Sequence, residues 1–402
     1  MKRARFFITF AAAFLVASLT HGAERFDQLQ GRLEAAGVKT VDAAIPFLGE
    51  DILSNFTFMH TSRSIQGASP EYPRAILWSG DSKMLVSFNG HSSLDGNDRL
   101  EIIEFNDGEA RFEFHTVNQT PDGLVFQNEN GTQNCFGCHG MISDDLKPVW
   151  DVYQVWRGAY GANNDRMDLP GSEKAKNDYV SFLNSSKDHP RYSKLKFDFT
   201  KSTLSPFSDG FETRMDLDQQ PNMRLGIVIN RLAAKRIVRQ IRERGEPAAI
   251  KALSTLMACP QTPLDETLQA AIEPRISTWI SRTHTPVGYD QDFVNGITSL
   301  LAAPMTRLFQ VARDLEIPNH EWATTQEKNS NTIFEGTRFP FDAIVAHELY
   351  EQLMQSMPEL RPMYSRTGFK DIGDKSKTGH DADSLGAVLG ESSLLACPLL
   401  KR

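Results

Sequence analysis

Cysteine is scarce in this sequence, and the common signatures of phosphate-binding and hydrolytic enzymes are missing. Only four of the 402 residues are cysteine. The chain has no glycine-rich phosphate loop and no Gly-x-Ser-x-Gly nucleophile elbow. It also has no internal repeat, no low-complexity tract and, beyond the amino terminus, no apolar run long enough to cross a bilayer. These absences disfavour a P-loop protein, an α/β-hydrolase and a polytopic membrane protein.

The first 23 residues have the three parts of a secretory signal peptide. Lys2, Arg3 and Arg5 precede an apolar run from Phe6 to Leu19, and a short polar segment follows. The run is short for a transmembrane span, so cleavage near Ala23 is expected, with an uncleaved anchor as the alternative. The segment predicts export, and the bacterial periplasm is the expected compartment.

The chain is acidic, with 43 lysine and arginine residues against 51 aspartate and glutamate residues and a formal net charge of −8. Loss of the three positive charges of the signal peptide lowers this charge to about −11. An acidic protein is a poor ligand for nucleic acid, so no nucleic-acid partner is expected. A basic protein surface, by contrast, would be attracted at low salt.

Residues 135 to 139 read Cys-Phe-Gly-Cys-His, the attachment signal for a covalent c-type haem in an exported chain. Two thiols three positions apart on one helical turn, Cys135 and Cys138, can each bond one vinyl group of the same porphyrin. His139 follows directly, and its neutral imidazole can serve as the proximal ligand to iron. The motif therefore predicts haem c and iron as cofactors.

Three other interpretations of this motif were weighed: a structural disulfide, a dithiol redox site and half of a zinc site. Zinc needs further cysteine or histidine ligands nearby, whereas Cys259 and Cys397 lie far along the chain. A dithiol oxidoreductase would place the motif on a helix after a strand, whereas a turn-rich, asparagine-containing segment precedes it here. Haem attachment is the favoured interpretation.

The segment from Cys135 to Gly140 resembles the haem-binding segment of the c-type cytochromes. This resemblance implies that Cys135 and Cys138 are thioether anchors and that His139 is the proximal iron ligand. It covers little of the chain. A small class I cytochrome c is all helical, whereas here a strand-rich segment precedes the motif. The whole chain is similar to the larger exported proteins that carry a single motif of this kind.

The expected fold class is α+β, with an antiparallel meander before the motif and a mainly α-helical carboxy-terminal half. Alternating strands with turns occupy Arg74 to Gln127, and Asp107-Gly108 suits a two-residue hairpin turn that pairs Ile103 with Phe112. Three regions are predicted: a signal peptide at 1–23, a strand-containing haem region at 24–200 and a mainly helical region at 201–402.

Helical periodicity dominates the second half. An apolar stripe runs from Leu225 to Ile241 in a segment rich in arginine and lysine, whose charged face is expected to be solvated. Further helices are predicted at 264–282, 292–317 and 341–357. Cys259 and Cys397 both occur in an Ala-Cys-Pro string, and in an oxidising compartment they are expected to form one disulfide.

For the sixth iron ligand, the sequence offers several candidates and no motif that selects one of them. Met167 is the preferred candidate because it lies in a loop downstream of the motif, whereas Met141 is too close to His139 to reach the opposite side of the ring. The alternatives are Met215, Met223, His115 and His189. His115 is expected to be exposed, because it follows Arg111 and Glu113 on the charged face of the hairpin.

A metallohydrolase interpretation fails at His347-Glu348. Glu351 stands where a zinc-protease helix carries its second histidine. The expected function is therefore that of a soluble periplasmic monohaem cytochrome that passes single electrons to a redox partner protein. The alternatives are a haem enzyme or small-ligand sensor with an open sixth position, and a structural protein stabilised by haem.

Overall fold

The computed structural model describes residues 25–62, 64–81, 83–130, 135, 160, 173–196, 221–268, 270–271, 307–317, 341–364 and 396–400. The predicted signal peptide at 1–23 lies outside these ranges. Within the described residues, no helix combines the length and the apolar composition needed to cross a membrane.

A six-stranded antiparallel sheet lies before the cysteine motif, and its strands are paired in chain order. The strands are β1 (Phe56–Met59), β2 (Arg74–Trp78), β3 (Met84–Phe88), β4 (Arg99–Asn106), β5 (Arg111–Thr120) and β6 (Gly123–Asn128). Strands that are consecutive in the chain are neighbours in the sheet, which is the pattern of a meander. Together with the helices that follow, this sheet confirms the predicted α+β class.

Helices from the first half cover one face of the sheet. They are α1 (Phe26–Ala35), α2 (Val41–Ala44), a 3-10 turn at Ile45–Leu48, α3 (Gly49–Leu53), α4 (Glu173–Ser185) and a 3-10 turn at Tyr192–Lys194. Because side chains alternate along a strand, every second residue points to this face. We call it the amino-terminal face and define it by Phe58, Leu77, Val86, Ile102 and Val117, all buried with Leu29 and Leu33 of α1.

The long helix α5 (Pro221–Glu243) packs on the opposite face. We call this second surface the α5 face and define it by Trp78, Leu85, Ile103, Phe105, Phe112 and Phe114. Ile229 of α5 contacts the Trp78 end, and Leu232 contacts the phenylalanines of β4 and β5. Each large apolar side chain buried in this way contributes about 1.5–3 kcal/mol to the free energy of unfolding.

The remaining helices pack against the other side of α5. They are α6 (Glu246–Leu256), α7 (Phe341–Ser356), α8 (Arg361–Tyr364), a helical segment at 307–314 and 3-10 turns at Pro358–Leu360 and Cys397–Leu400. Gly245 separates α5 from α6 with a φ of 93°, a backbone conformation that glycine adopts without strain. The helix predicted at 341–357 is confirmed. Only parts of those predicted at 264–282 and 292–317 fall among the described residues, and those parts are largely helical.

The disulfide predicted between Cys259 and Cys397 is confirmed. The bond attaches the turn at Cys397–Leu400 to Cys259, which lies shortly after the end of α6. Both cysteines belong to the core that α5, α6 and α7 share. The hairpin register was wrong by two residues. Ile103 pairs with Phe114 rather than with Phe112, and Phe105 pairs with Phe112. The reason is a four-residue turn at 107–110, in which Ala110 has a positive φ of 49°.

The predicted solvated face on α5 is also wrong for the basic residues whose side chains are described. Arg236 is buried, and Arg231 and Lys235 are half-buried in ion pairs with Glu348 and Asp107. Among these residues only Arg239 is exposed. Because α5 is covered by the sheet on one side and by helices on the other, its charged residues have little access to water.

Candidate functional site

Cys135, the first residue of the Cys-x-x-Cys-His motif, lies half-buried against the α5 face. It packs on the cluster formed by Ile103, Phe105, Ala110, Phe112, Phe114 and Leu232. Cys138 and His139 lie outside the described residues. The structure therefore places the start of the motif between the β4–β5 hairpin and the middle of α5.

The surface beneath Cys135 follows from the alternation of β4 and β5. Phe105 and Phe112 are directly paired across the two strands, and their rings meet edge to face with centroids 4.9 Å apart. Phe114 pairs with Ile103 one row further along the same face. Aromatic pairs of this kind add about 0.5–1.5 kcal/mol beyond the area that they bury. The result is a buried aromatic cluster against which Cys135 packs.

Basic side chains near the hairpin turn are already engaged with Asp107. Lys83 bonds its carboxylate, Lys235 of α5 lies 3.3 Å from Oδ1, and Arg25 lies 3.6 Å from Oδ2. Arg239 donates instead to the backbone oxygen of Gly108 at 2.8 Å. These contacts attach α5 to the turn at 107–110, at one end of the cluster that holds Cys135.

Further along the α5 face, away from the phenylalanines, the sheet carries a buried polar network. The Nη2 group of Arg74 lies 2.5 Å from Glu101 and donates to Ser87 at 2.7 Å, while its Nε donates to Gln66 at 3.0 Å. Burial lowers the pKa of the Arg74 guanidinium, and the adjacent Glu101 opposes that shift. The network holds residues 64–66 on the sheet, so we assign it a structural role.

The two histidine candidates for the sixth iron position are occupied elsewhere. His115 is buried rather than exposed, and its ring lies on the amino-terminal face, opposite Cys135. It stacks on Phe26 of α1, with centroids 4.0 Å apart. The Nε2 atom of His189 lies 2.8 Å from the backbone oxygen of Gly90, and burial lowers the pKa of this imidazole. Neither ring lies against the cluster that holds Cys135.

The methionine candidates are not located by the structure. Met141, Met167 and Met215 lie outside the described residues, and of Met223 only the backbone, within α5, is described. Tyr160 is buried in the core of the amino-terminal face and belongs to a different cluster from the one that holds Cys135. Its backbone nitrogen donates to the oxygen of Phe58 at 3.0 Å.

Of the three residues that the motif assigns to haem, the structure locates only Cys135, half-buried against apolar side chains. Apolar surroundings of this kind would exclude water from a porphyrin attached at Cys135.

Comparison of the chain with protein-family models, with curated protein sequences and with solved structures finds no match.

Proposed function

We propose that this protein is an exported monohaem c-type cytochrome that carries single electrons. The observation that carries the proposal is the position of Cys135: the first cysteine of a predicted haem-attachment motif packs against an apolar, phenylalanine-rich cluster. In this proposal Cys135 and Cys138 hold the porphyrin through thioether bonds, and His139 is the proximal ligand. Met167 is the proposed sixth ligand.

The chain's own residues determine the environment of such a group. Phe105, Phe112 and Leu232 keep water from one side of the site and lower the local dielectric constant. A low dielectric constant disfavours the oxidised, more positive state, so burial on this surface raises the reduction potential. Haem c, when bound, supplies a reversible one-electron couple between ferric and ferrous iron.

Two further features support the proposed compartment and partner. The disulfide between Cys259 and Cys397 suits an oxidising environment such as the periplasm, which agrees with a cleaved signal peptide at 1–23. The excess of acidic residues favours a redox partner protein with a basic docking surface, and it disfavours nucleic acid.

The decisive experiment is expression with a haem-attachment system, followed by absorption spectroscopy and intact mass measurement. We expect a red protein whose mass exceeds that of the processed polypeptide by one haem. The double variant Cys135→Ala/Cys138→Ala should be colourless, whereas Cys259→Ala/Cys397→Ala should keep the haem. A colourless wild-type protein with the mass of the bare polypeptide would disprove haem attachment.

A second measurement separates electron transfer from ligand binding. A low-spin ferric spectrum, unchanged by carbon monoxide after reduction, supports the electron carrier. A high-spin spectrum that changes with carbon monoxide contradicts it and favours a haem enzyme or gas sensor with an open sixth position.

The position of the site is tested by a matched pair of substitutions, Phe112→Leu and Phe58→Leu. Both phenylalanines are fully buried in the same sheet, but Phe112 lies on the α5 face and Phe58 on the amino-terminal face. We expect only Phe112→Leu to shift the reduction potential or the visible spectrum. Equal effects of the two variants would place the haem elsewhere.

A further inference from the structure

Three side chains of α7 converge at a point distant in sequence from the cysteine motif. His347, Glu348 and Glu351 each offer one ligand atom, and these atoms all lie within 4.8 Å of one another. His347 and Glu351 are one helical turn apart on the same side of α7, with Nε2 and Oε1 separated by 3.6 Å. His347 is fully buried, Glu348 is 5% exposed and Glu351 is partly exposed.

Neighbouring helices supply two groups that position this cluster. Tyr364 of α8 donates its hydroxyl hydrogen to Glu351 at 2.9 Å, and its oxygen lies 3.0 Å from Nε2 of His347. Arg231 of α5 approaches Glu348 from the other side, with Nε 3.3 Å from Oε1. The cluster therefore lies where α5, α7 and α8 meet.

The charges of the described residues in this space are incompletely balanced. Two carboxylates face one contacting guanidinium, and the buried Oε1 atom of Glu348 is approached at 3.3 Å by Nε of Arg231 without good hydrogen-bond geometry. Burial raises the pKa of Glu348, although Arg231 and Lys235 oppose the shift, and the nearby Glu351 adds to it. A carboxylate taken out of water in this way gains from a bound cation.

We propose that His347, Glu348 and Glu351 bind one divalent transition-metal ion, for which Zn²⁺ is the best probe. One imidazole and two carboxylates form a donor set that suits Zn²⁺ and similar ions, and water would complete the coordination. Ligands of a four-coordinate zinc at about 2.0–2.2 Å lie roughly 3–4 Å from one another, so the side chains need little movement. Tyr364 is a positioning residue: its hydroxyl orients Glu351.

The role that the geometry supports is structural. Glu348 reaches α5 through Arg231, and Glu351 reaches α8 through Tyr364, so an ion on α7 strengthens the contacts among all three helices. An ion that binds the folded chain and not the unfolded one raises the apparent stability in proportion to the logarithm of its concentration. The metal proposal does not rest on the haem proposal, because none of its three ligands belongs to the cysteine motif.

The test uses the purified full-length chain without a histidine tag, after dialysis against a chelator. Equilibrium dialysis with Zn²⁺ and elemental analysis should give one zinc ion per chain, and Zn²⁺ should raise the midpoint of thermal unfolding. His347→Ala and Glu351→Gln should each weaken zinc binding at least tenfold. The control variants His91→Ala and Glu246→Gln, which alter an imidazole and a carboxylate elsewhere, should bind zinc like wild type.

Tyr364→Phe distinguishes a metal site from a hydrogen-bonded network that needs no ion. This variant removes the hydroxyl between His347 and Glu351 but no proposed ligand, so it should keep one zinc ion per chain and the zinc-dependent thermal shift. Because Glu351 is partly exposed, Glu351→Gln should fold even if His347→Ala does not. The proposal is overturned if folded wild-type protein binds no zinc, or if Glu351→Gln binds zinc as wild type does.

Discussion

The imidazole of His115 is a buried polar group that no described residue satisfies. It packs between β5 and α1, stacked on Phe26, and neither ring nitrogen has a hydrogen-bond partner among the described residues. The nearest charge is the Oε2 atom of Glu104, 4.0 Å from Nε2. Burial lowers the pKa of His115, and Glu113 opposes that shift. The folded protein therefore favours the neutral ring.

We predict that His115→Phe increases the free energy of unfolding by about 1 kcal/mol near pH 8 and by more near pH 5. The substitution keeps the stack on Phe26 and removes two unsatisfied nitrogens. Because the folded-state pKa is depressed, the unfolded chain takes up a proton first as the pH falls below about 6.5, and wild-type stability is lost with it. Phenylalanine removes that loss.

Urea unfolding at the two pH values measures this difference. A variant that is less stable than wild type at both values would show that the ring nitrogens are satisfied. An increase of the same size at both values would show that His115 does not titrate differently in the folded and unfolded states.

Residue-scale chemistry was predictable where it is encoded locally. The two Ala-Cys-Pro strings identified the cysteines of the disulfide, which the structure confirms, whereas the role of the motif from Cys135 to His139 stays a prediction. The burial of His115 was not predictable in this way, because Arg111 and Glu113 mark its side of the strand as charged. The covering helix α1 begins at Phe26, far away in the sequence, and nothing near His115 indicates its approach.

Among the elements, α5 has an unusual position, since the sheet and the carboxy-terminal helices cover it on two sides. Its polar contacts with the sheet converge on Asp107, at the tip of the β4–β5 hairpin. Lys235 reaches this carboxylate from α5, Lys83 from the segment before β3 and Arg25 from the residue before α1. A single side chain thus joins three parts of the fold.

We predict that Asp107→Asn lowers the free energy of unfolding by about 0.5–1 kcal/mol at low ionic strength. The loss is modest because the Asp107 side chain is 40% exposed, and water and salt screen its ion pairs. The difference should shrink at high salt. Asp122→Asn, in the exposed turn between β5 and β6, is the matched control and should have little effect; equal losses would refute a special role for Asp107.

The strand pattern predicted most of the sheet, but not its hairpin register. A sequence with Asp107-Gly108 between two strands usually forms a two-residue turn. In the structure the turn has four residues, because it also includes Glu109 and Ala110. A shift of two residues keeps every side chain on its predicted face, so the apolar cluster survives the error. The alternation that buries Phe105 and Phe112 together is a stronger signal than the turn that joins their strands.

At the scale of the whole molecule, the disulfide is a cross-link between residues that lie far apart in the sequence. Cys259 and Cys397 are separated by 138 positions, and their bond links α6 to the turn at Cys397–Leu400. Closing a loop of this length restricts the unfolded chain strongly, which is the main source of stabilisation in the chain-entropy account.

We predict that Cys259→Ala/Cys397→Ala lowers the free energy of unfolding by about 2–5 kcal/mol. Urea unfolding with and without reductant checks this value: reductant should lower the wild-type midpoint toward that of the variant and leave the variant unchanged. A wild-type midpoint that does not respond to complete reduction would contradict the expected contribution.

The candidate sites differ in how far the sequence could predict them. The haem proposal rests on five consecutive residues, whereas the α7 cluster depends on Tyr364 and Arg231, which come from two other helices. By sequence pattern alone, Glu351 disqualified His347-Glu348 as a zinc-protease motif. The same carboxylate becomes a proposed metal donor once the folded chain brings the three side chains together.

Arg231 and Leu232 are consecutive residues of α5, and they face different neighbourhoods: Leu232 contacts the cluster that holds Cys135, and Arg231 contacts Glu348. A helix rotates or shifts as one body, so neither residue can be displaced without the other. If both proposals hold, metal occupancy and oxidation state are thermodynamically linked, and the linkage is reciprocal. Zinc would then change the midpoint of a redox titration, and reduction of the haem would change the affinity for zinc by the same free energy.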